Sequence, residues 1–426
     1  MNIAVIGGGA AGMLAALAAK RENAEANVFL LEKNEKLGKK IFITGKGRGN
    51  LTNACDLSDF FEQFLSNPRF LYSALYGFTN RDLMALLEEG GTRVKTERGG
   101  RVFPTSDRAY SITDALKRLL KKAGVNIAYN TEVLEIEEQG GRVCGVKTKR
   151  QYYRAERVIV ATGGLSYPST GSTGDGYRFA RACGMQVTEC YPSLTYLEPE
   201  EQDYYALKGL KLKNIAVSVT DESGKCYYGD FGELDFLPEG LSGPVVLSAS
   251  ANITCYLNAA EPKNRRLLTL HIDLKPAMSA EARDERLRRE LESFRNKELR
   301  NCLGNLLPAQ LIPVFLKRLE RRGVDINRKA TEVSREMRQQ ILSLLGDFSF
   351  TLRGTGGFRS AIVTQGGVSV KELNPKTLES KKRKGLYFAG EVIDVDAYTG
   401  GFNMQSAFST GWLAGKSAAK EDENAL

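Results

Sequence analysis

The sequence predicts an α/β fold, and three observations carry that prediction. A short apolar strand, a glycine turn and an alanine-rich helix open the chain in "NIAVIGGGAAGMLAALAAKRE". Further apolar strands that end in small residues follow at "RVIVATGG", Arg157 to Gly164, and "KGLYFAGEVID", Lys384 to Asp394. Between them short strands dominate from about 191 to 275, a helical period takes over from about 276 to 346, and strands resume near 347.

Composition sets the class. Apolar residues make up 42% of the 426 and charged residues 26%, the balance of a soluble globular chain, and the length predicts several folded units. No apolar run reaches the roughly 18 residues that span a bilayer, so no membrane partner is expected. The stretch "AAGMLAALAAK" imitates a signal peptide, but no Lys or Arg precedes it and Gly7, Gly8 and Gly9 interrupt it. Seven cysteines lie scattered without a C-x-x-C pair, which predicts neither a metal site nor a disulfide framework and fits a reducing cytoplasm.

In the opening turn Gly7, Gly9 and Gly12 satisfy G-x-G-x-x-G between strand and helix. The first glycine makes the tight turn, the second admits a pyrophosphate to the backbone, and the third lets helix and strand pack closely. Ala10, Ala11 and Gly12 open the helix, whose free N–H groups and positive dipole end suit phosphate. The second strand, "ANVFLLEK", ends at Glu32, twenty residues beyond Gly12. A carboxylate there accepts hydrogen bonds from ribose hydroxyls and repels a 2′-phosphate, which points to FAD or NAD and away from NADP.

The closing strand separates the two. It runs into Gly390 and Glu391, and "TGGFNMQSAFSTGWLAG" then starts a helix at Gly401 with Phe402, Asn403 and Met404 in its first turn. NAD needs nothing of this kind. A flavin does, because its reduced ring carries negative charge that a helix N-terminus stabilises. The expected cofactor is therefore FAD, with the pyrophosphate at the first glycine turn and the ring at the last. Ala161, Thr162 and Gly163 end the strand between them. No second G-x-G-x-x-G follows a strand, so NAD(P)H is expected only as a transient electron donor.

The stretches "GGGAAG", "KKIFITGKGRGNLTN", "RVFPTSDRAYSITDAL", "ATGGLSYPSTGSTGDGY", "GLSGPVVLSAS", "VTQGGV" and "GLYFAGEVIDVDAYTGGFNMQSAFSTG" span nearly the whole chain. Through them the sequence resembles the BaiN-like (YhiN-like) family of NAD(P)/FAD-dependent oxidoreductases. The resemblance implies a glutathione-reductase-type, Rossmann-like FAD-binding domain with an inserted β-rich domain and a small helical domain. It also implies FAD contacts from Ala11, Glu32, Lys33, Lys40, Arg48 and Glu391, and from the backbone of Val133. Two positions depart from the family pattern. Gly49 stands where many members carry Cys, and Leu237 and Pro238 stand where many carry Thr and His.

The expected organisation is a first FAD-binding part over 1–190, a β-rich insert over 191–275 completed by 347–362, a helical domain over 276–346, and the rest of the FAD-binding domain over 363–426. The segment "GVNIAYNTEVLEIEEQGGRVCGVKTKRQYYRAERVIV" reads as a small antiparallel sheet turning at "EQGGR". Ser279 is a candidate cap for the first helix of the helical part.

A flavin carries the hydride itself, while the protein positions substrate and tunes the ring. The sole histidine, His271, lies in the strand "LLTLHIDLKP" and reads as structural. The loop "TGKGRGNLTN" is the better candidate: beside Thr44, also expected at the cofactor, Gly45 and Gly47 allow close backbone approach, and Lys46, Arg48, Asn50 and Asn53 supply donors. Arg48, Asn50 and Tyr398 are the candidate catalytic residues, with neutralisation of FAD phosphate the competing role for Arg48.

The net charge is +9, with "KKRK" at Lys381 to Lys384 and a mixed run over 281–300. No aromatic reading surface accompanies either run, so a small or steroid-like organic substrate is expected, through double-bond reduction or amine oxidation, rather than nucleic acid. The reading kept beside it is a basic FAD-containing protein that modifies or binds RNA. The sequence assigns no oligomeric state.

Overall fold

The computed structural model describes residues 1–421 apart from 262 and 264. Residues 422–426, assigned above to the last segment, lie outside the described residues. The chain divides into two compact units, Met1–Pro192 with Phe358–Leu426, and Ser193–Gly357.

The first unit is built on five parallel strands in the order Leu386–Phe388, Arg157–Val160, Asn2–Ile6, Asn27–Leu31 and Asn126–Ala128. The central strands are near-continuous apolar runs because a parallel sheet is covered on both faces. From Asn2–Ile6 the chain first builds outward in one direction and then, with Arg157–Val160, in the other. That reversal is a topological switch point, and ligands of open α/β sheets bind beyond the carboxyl ends of the strands there.

The first helix, Ala10–Glu22, is buried without a break from Ala11 to Ala19. It packs against the closing helix, Phe402–Ala418, at backbone contact. A Cβ on Gly411 would lie 2.2 Å from the Ala11 carbonyl oxygen, and one on Gly415 would lie 2.1 Å from that of Ala15. The chain's two glycine turns are thus brought together by small residues along both helices. Two small antiparallel sheets complete the unit. One holds Thr52–Asn53, Arg101–Pro104 and Val94–Thr96, and the other holds Val133–Gln139, Arg142–Thr148 and Tyr152–Arg154.

The second unit holds a closed six-stranded barrel of Leu197–Pro199, Leu241–Ser242, Cys226–Phe236, Lys211–Asp221, Leu268–Asp273 and Phe350–Thr355. Its strands alternate buried and partly exposed residues, as in Leu268–Asp273. The helices Ala280–Ser293, Ile312–Arg321 and Arg335–Gly346 share one apolar cluster with the barrel, through Leu287, Phe315, Ile341, Phe348 and Phe350. The Ser279 hydroxyl caps the first of them, accepting from the Ala282 N–H at 3.2 Å.

Candidate functional site

At the switch point Gly7 follows the first strand and donates its N–H to Leu31 at 2.8 Å. Gly12 must lack a side chain, since a Cβ there would lie 1.8 Å from the Gly7 carbonyl oxygen, whereas a Cβ on Gly9 meets nothing within 4 Å. The two glycines therefore differ in role: one allows turn and helix to pack, and the other faces open space. Gly9 caps the helix without a side-chain bond, and no acidic residue stands in the first turn. The N–H groups of Ala10, Ala11 and Gly12 are left for an anion.

Around this turn the structure gathers the expected partners. Glu32 is buried at 7% exposure, accepting from the Gly8 N–H at 2.7 Å through one oxygen and from the Asn34 backbone and side chain at 2.8 and 2.7 Å through the other. The Ala161 N–H bonds to the Ile6 carbonyl at 2.9 Å, and Thr162 beside it has a buried hydroxyl with no partner among the described residues. A buried hydroxyl left unpaired in this way suits a site completed by a ligand. Gly163 follows at a left-handed turn. The Lys33 ammonium pairs with Asp175 and Thr173, both at 2.7 Å, which ties the second strand to the loop after Arg157–Val160. Val133 sits buried on the neighbouring antiparallel sheet, and two residues before it the Thr131 N–H bonds to the Glu32 carbonyl at 2.9 Å.

The closing turn meets the loop 39–53. The Lys40 ammonium pairs with Glu391 at 2.6 Å, and the second Glu391 oxygen accepts from the Thr364 N–H at 2.8 Å. A Cβ on Gly390 would press on Ala11 at 2.8 Å. The Asn50 carboxamide accepts from the Gly401 N–H and donates to the Thr52 carbonyl, each at 3.2 Å. Asn53 donates to the Gly400 carbonyl at 3.3 Å. Gly401 has φ 104° and lies so near Thr52 that a Cβ would fall 2.4 Å from its carbonyl, so only glycine fits. The helix behind it has no side-chain cap and no acid in its first turn, leaving the amides of Phe402, Asn403 and Met404 unshielded. Asn403 uses its side chain to brace the preceding loop, accepting from the Ala397 N–H at 2.9 Å and donating to its carbonyl at 2.7 Å. Tyr398, half-buried in that loop, donates its N–H to Gln63 at 3.0 Å.

Arg48 is engaged elsewhere. Its guanidinium lies 4.2 Å above the Phe103 ring and pairs with Glu97 and with Asp107 at 2.6 Å. Those bonds, Glu97 first, hold it more firmly protonated; the Glu97 carboxyl is drawn below its usual range chiefly by Arg48, and that of Asp107 by Lys95 and then Arg48. Thr44, Gly45 and Gly47 lie in the same segment, where Gly45, Lys46 and Gly47 take consecutive left-handed conformations. His271 belongs to the second unit, between Thr220 and Asp347 at 2.9 Å each, as a structural histidine does.

Several participants escaped the sequence. Asn34, Asp175, Glu97 and Asp107 are polar loop residues whose only signal is the partner they meet in the fold. Thr364 and Gln365 lie in the stretch "VTQGGV", which the resemblance had marked without assigning a role. Asp396 is 1% exposed, and Gln365 donates to one of its oxygens at 3.2 Å. Burial, reinforced by the charges of Asp394 and Glu391, pushes its carboxyl up to about 6 against the opposing bonds from Ser66 and Gln365. No group of His, Cys, Asp and Glu suited to a metal occurs among the described residues, and no described helix is long and apolar enough to cross a membrane.

Comparison with known proteins gives the chain a family and a fold. The family described as the HI0933-like protein Rossmann domain matches residues 1–417. A 3-dehydro-bile acid delta(4,6)-reductase of Clostridium scindens is 32% identical over 422 residues, 98% of this chain and 99% of the relative. A ribosomal RNA dihydrouridine synthase of Haemophilus influenzae is 32% identical over 423 residues, 98% of each chain. Among solved structures, a 3-ketosteroid-delta4-(5alpha)-dehydrogenase from Rhodococcus jostii shares the fold at a TM-score of 0.53 and 18% identity, covering 98% of this chain and 96% of the other.

Proposed function

The chain belongs to the HI0933-like Rossmann family and is an FAD-dependent oxidoreductase of it, and from that premise we propose that it reduces a carbon–carbon double bond conjugated to a carbonyl in a small or steroid-like substrate. Bound FAD supplies the hydride. The first glycine turn, Glu32 and Thr162 hold its nucleotide half. Lys40, Glu391 and the N-terminus at Gly401 would hold its flavin half.

The observation that carries this reading is the junction of Asn50 with the Gly401 N–H, which sets an unshielded helix end beside a donor-rich loop. Amide donors there stabilise negative charge as it develops on the ring. Asn50 acts as a positioning residue, and Arg48, held by Glu97 and Asp107, shapes the same loop. Tyr398 is the remaining candidate to deliver the proton that must follow hydride to the neighbouring carbon. Both full-length relatives fit this bond change by name. A double bond at position 4 of a 3-oxo skeleton is conjugated to its carbonyl, and so is the C5=C6 bond of uracil.

NADH or NADPH is the proposed electron source. Anaerobic addition of each to the yellow holoenzyme, followed by an enone steroid, tests the reading: flavin absorbance bleaches, then returns as the product gains two hydrogens. Protein that takes up no FAD, or reduced enzyme that passes nothing to any conjugated substrate, overturns it.

A second reading places the same chemistry on uridine within RNA. It is favoured by the dihydrouridine synthase relative and by the charge of the loop region, net basic in a chain of +9 overall.

A further inference from the structure

Most of the chain's excess positive charge is concentrated beside the candidate site. Residues 36–48 and 93–110 hold ten Lys and Arg against two carboxylates, Glu97 and Asp107, in a chain whose net charge is +9. The fold joins the two segments. The Ala109 N–H bonds to the Gly47 carbonyl at 2.9 Å, Arg48 lies over Phe103, and the Tyr110 ring stacks on Phe42 with centroids 6.2 Å apart and planes 15° apart. Both carboxylates are taken up by Arg48 and Lys95. With Lys39 and Lys40 paired to Glu35 and Glu391, that leaves Lys36, Lys46, Arg93, Arg98, Arg101 and Arg108 exposed, none of them within ion-pair distance of a carboxylate among the described residues. Tyr110 is 57% exposed over its stacked partner, and the Lys36 ammonium sits 5.5 Å from the Phe42 ring.

Resting on the second reading above, we propose that the face formed by Lys36, Lys46, Arg98, Arg101, Arg108 and Tyr110 docks a single-stranded RNA segment next to the loop that carries Lys40 and Asn50. Unpaired cations track a phosphate backbone, and an exposed flat ring already stacked on another offers a platform for a base. A membrane surface calls for a broader apolar face than exposed Ile43 and Tyr110 provide in this region. Neither segment declares the face in sequence, since residues 49–92 lie between them and the aromatic partners come one from each.

The test is fluorescence anisotropy of the FAD-loaded full chain with a labelled oligouridylate of about 12 nucleotides over a range of salt. Substitution R98A/R101A/R108A should weaken binding at least about tenfold and flatten the slope of log affinity against log salt by about 2, at about 0.7 for each phosphate the variant no longer neutralises. Tyr110→Ala should weaken binding about tenfold and leave the slope unchanged, as loss of one stacked base requires. Flavin absorbance and thermal melting confirm that each variant is folded and loaded. Wild-type binding that the triple substitution leaves intact in strength and slope overturns the face while the RNA reading survives. No binding by the wild type even at low salt overturns both. Capture of anionic phospholipid vesicles through the same arginines, without oligonucleotide binding, overturns the proposal in favour of a membrane surface.

Discussion

The Lys40 ammonium lies 2.6 Å from a carboxylate oxygen of Glu391, joining residues 351 positions apart at the point where the first and last glycine turns converge. Both side chains are largely buried, and the second Glu391 oxygen is fixed by the Thr364 N–H. Removing Lys40 leaves a carboxylate with half its partners, and neutralising Glu391 leaves the ammonium without a counter-charge among the described residues. Each of Lys40→Ala and Glu391→Gln should weaken FAD binding by about 1.5–3 kcal/mol, roughly ten- to a hundredfold. Titration of the apoprotein by quenching of flavin fluorescence measures this. The double variant should lose little more than either single one, because the pair acts as a unit.

The contact between the first and closing helices predicts a second effect. Because Gly411 and Gly415 meet carbonyls of Ala11 and Ala15 at backbone distance, Gly411→Ala forces the helices apart. Overpacking of this kind costs about 1–3 kcal/mol. The apoprotein Tm should fall, and FAD affinity should fall with it, since the same two helices present Gly9 and Gly401. An exposed control, Gly304→Ala, leaves FAD affinity unchanged; Gly304 belongs to the second unit, lies outside the left-handed region, and a Cβ there meets nothing within 4 Å.

What the sequence disclosed follows from the range of each interaction. The Gly7 to Gly12 turn and Glu32 were legible because strand, turn, helix and acid are consecutive, and local chemistry alone requires them. The junction at Gly401 was legible in outline, since a glycine pair before a helix needs no distant partner to be recognised. Its closure by Asn50 and Thr52 was not. The fate of Arg48 was equally hidden. A Gly-rich loop with an arginine suggests phosphate, but Glu97 and Asp107 reach it only through the small sheet of Thr52–Asn53, Val94–Thr96 and Arg101–Pro104. The aromatic neighbour of the basic charge was missed for the same reason, Phe42 and Tyr110 coming from separate segments.

Asp396 makes stability depend on pH in a direction opposite to that of most carboxylates. Burial lifts its carboxyl from the ordinary 3.8 to about 6 in the folded chain. Between those values the folded state holds a proton the unfolded chain has released, so stability falls as pH rises from about 4 to about 6 and stays lower above it. The full effect is about 3 kcal/mol. Asp396→Asn removes the ramp. Its Tm relative to wild type should climb across that window and level off above it, and a constant difference from pH 4 to 8 would show that Asp396 titrates normally.

Gly49 bears on the thiol that many family members carry at this position. Its φ is 81°, and a Cβ would lie 2.7 Å from the Ile112 side chain and 2.9 Å from the Ala109 Cα. A left-handed backbone and a neighbouring main chain both oppose any side chain, so the absence of a thiol is built into the local packing. Gly49→Cys should therefore not restore a reactive group beside the flavin. It should lower stability by about 1–3 kcal/mol and reduce bound FAD, because Ala109 anchors Gly47 through its N–H and a shift of Ala109 distorts the whole loop. Thermal melting, flavin content and thiol titration of the purified variant decide the matter. A variant as stable as wild type, with full flavin and a thiol that reacts readily, would mean that the loop accommodates the side chain and that the glycine serves chemistry rather than packing.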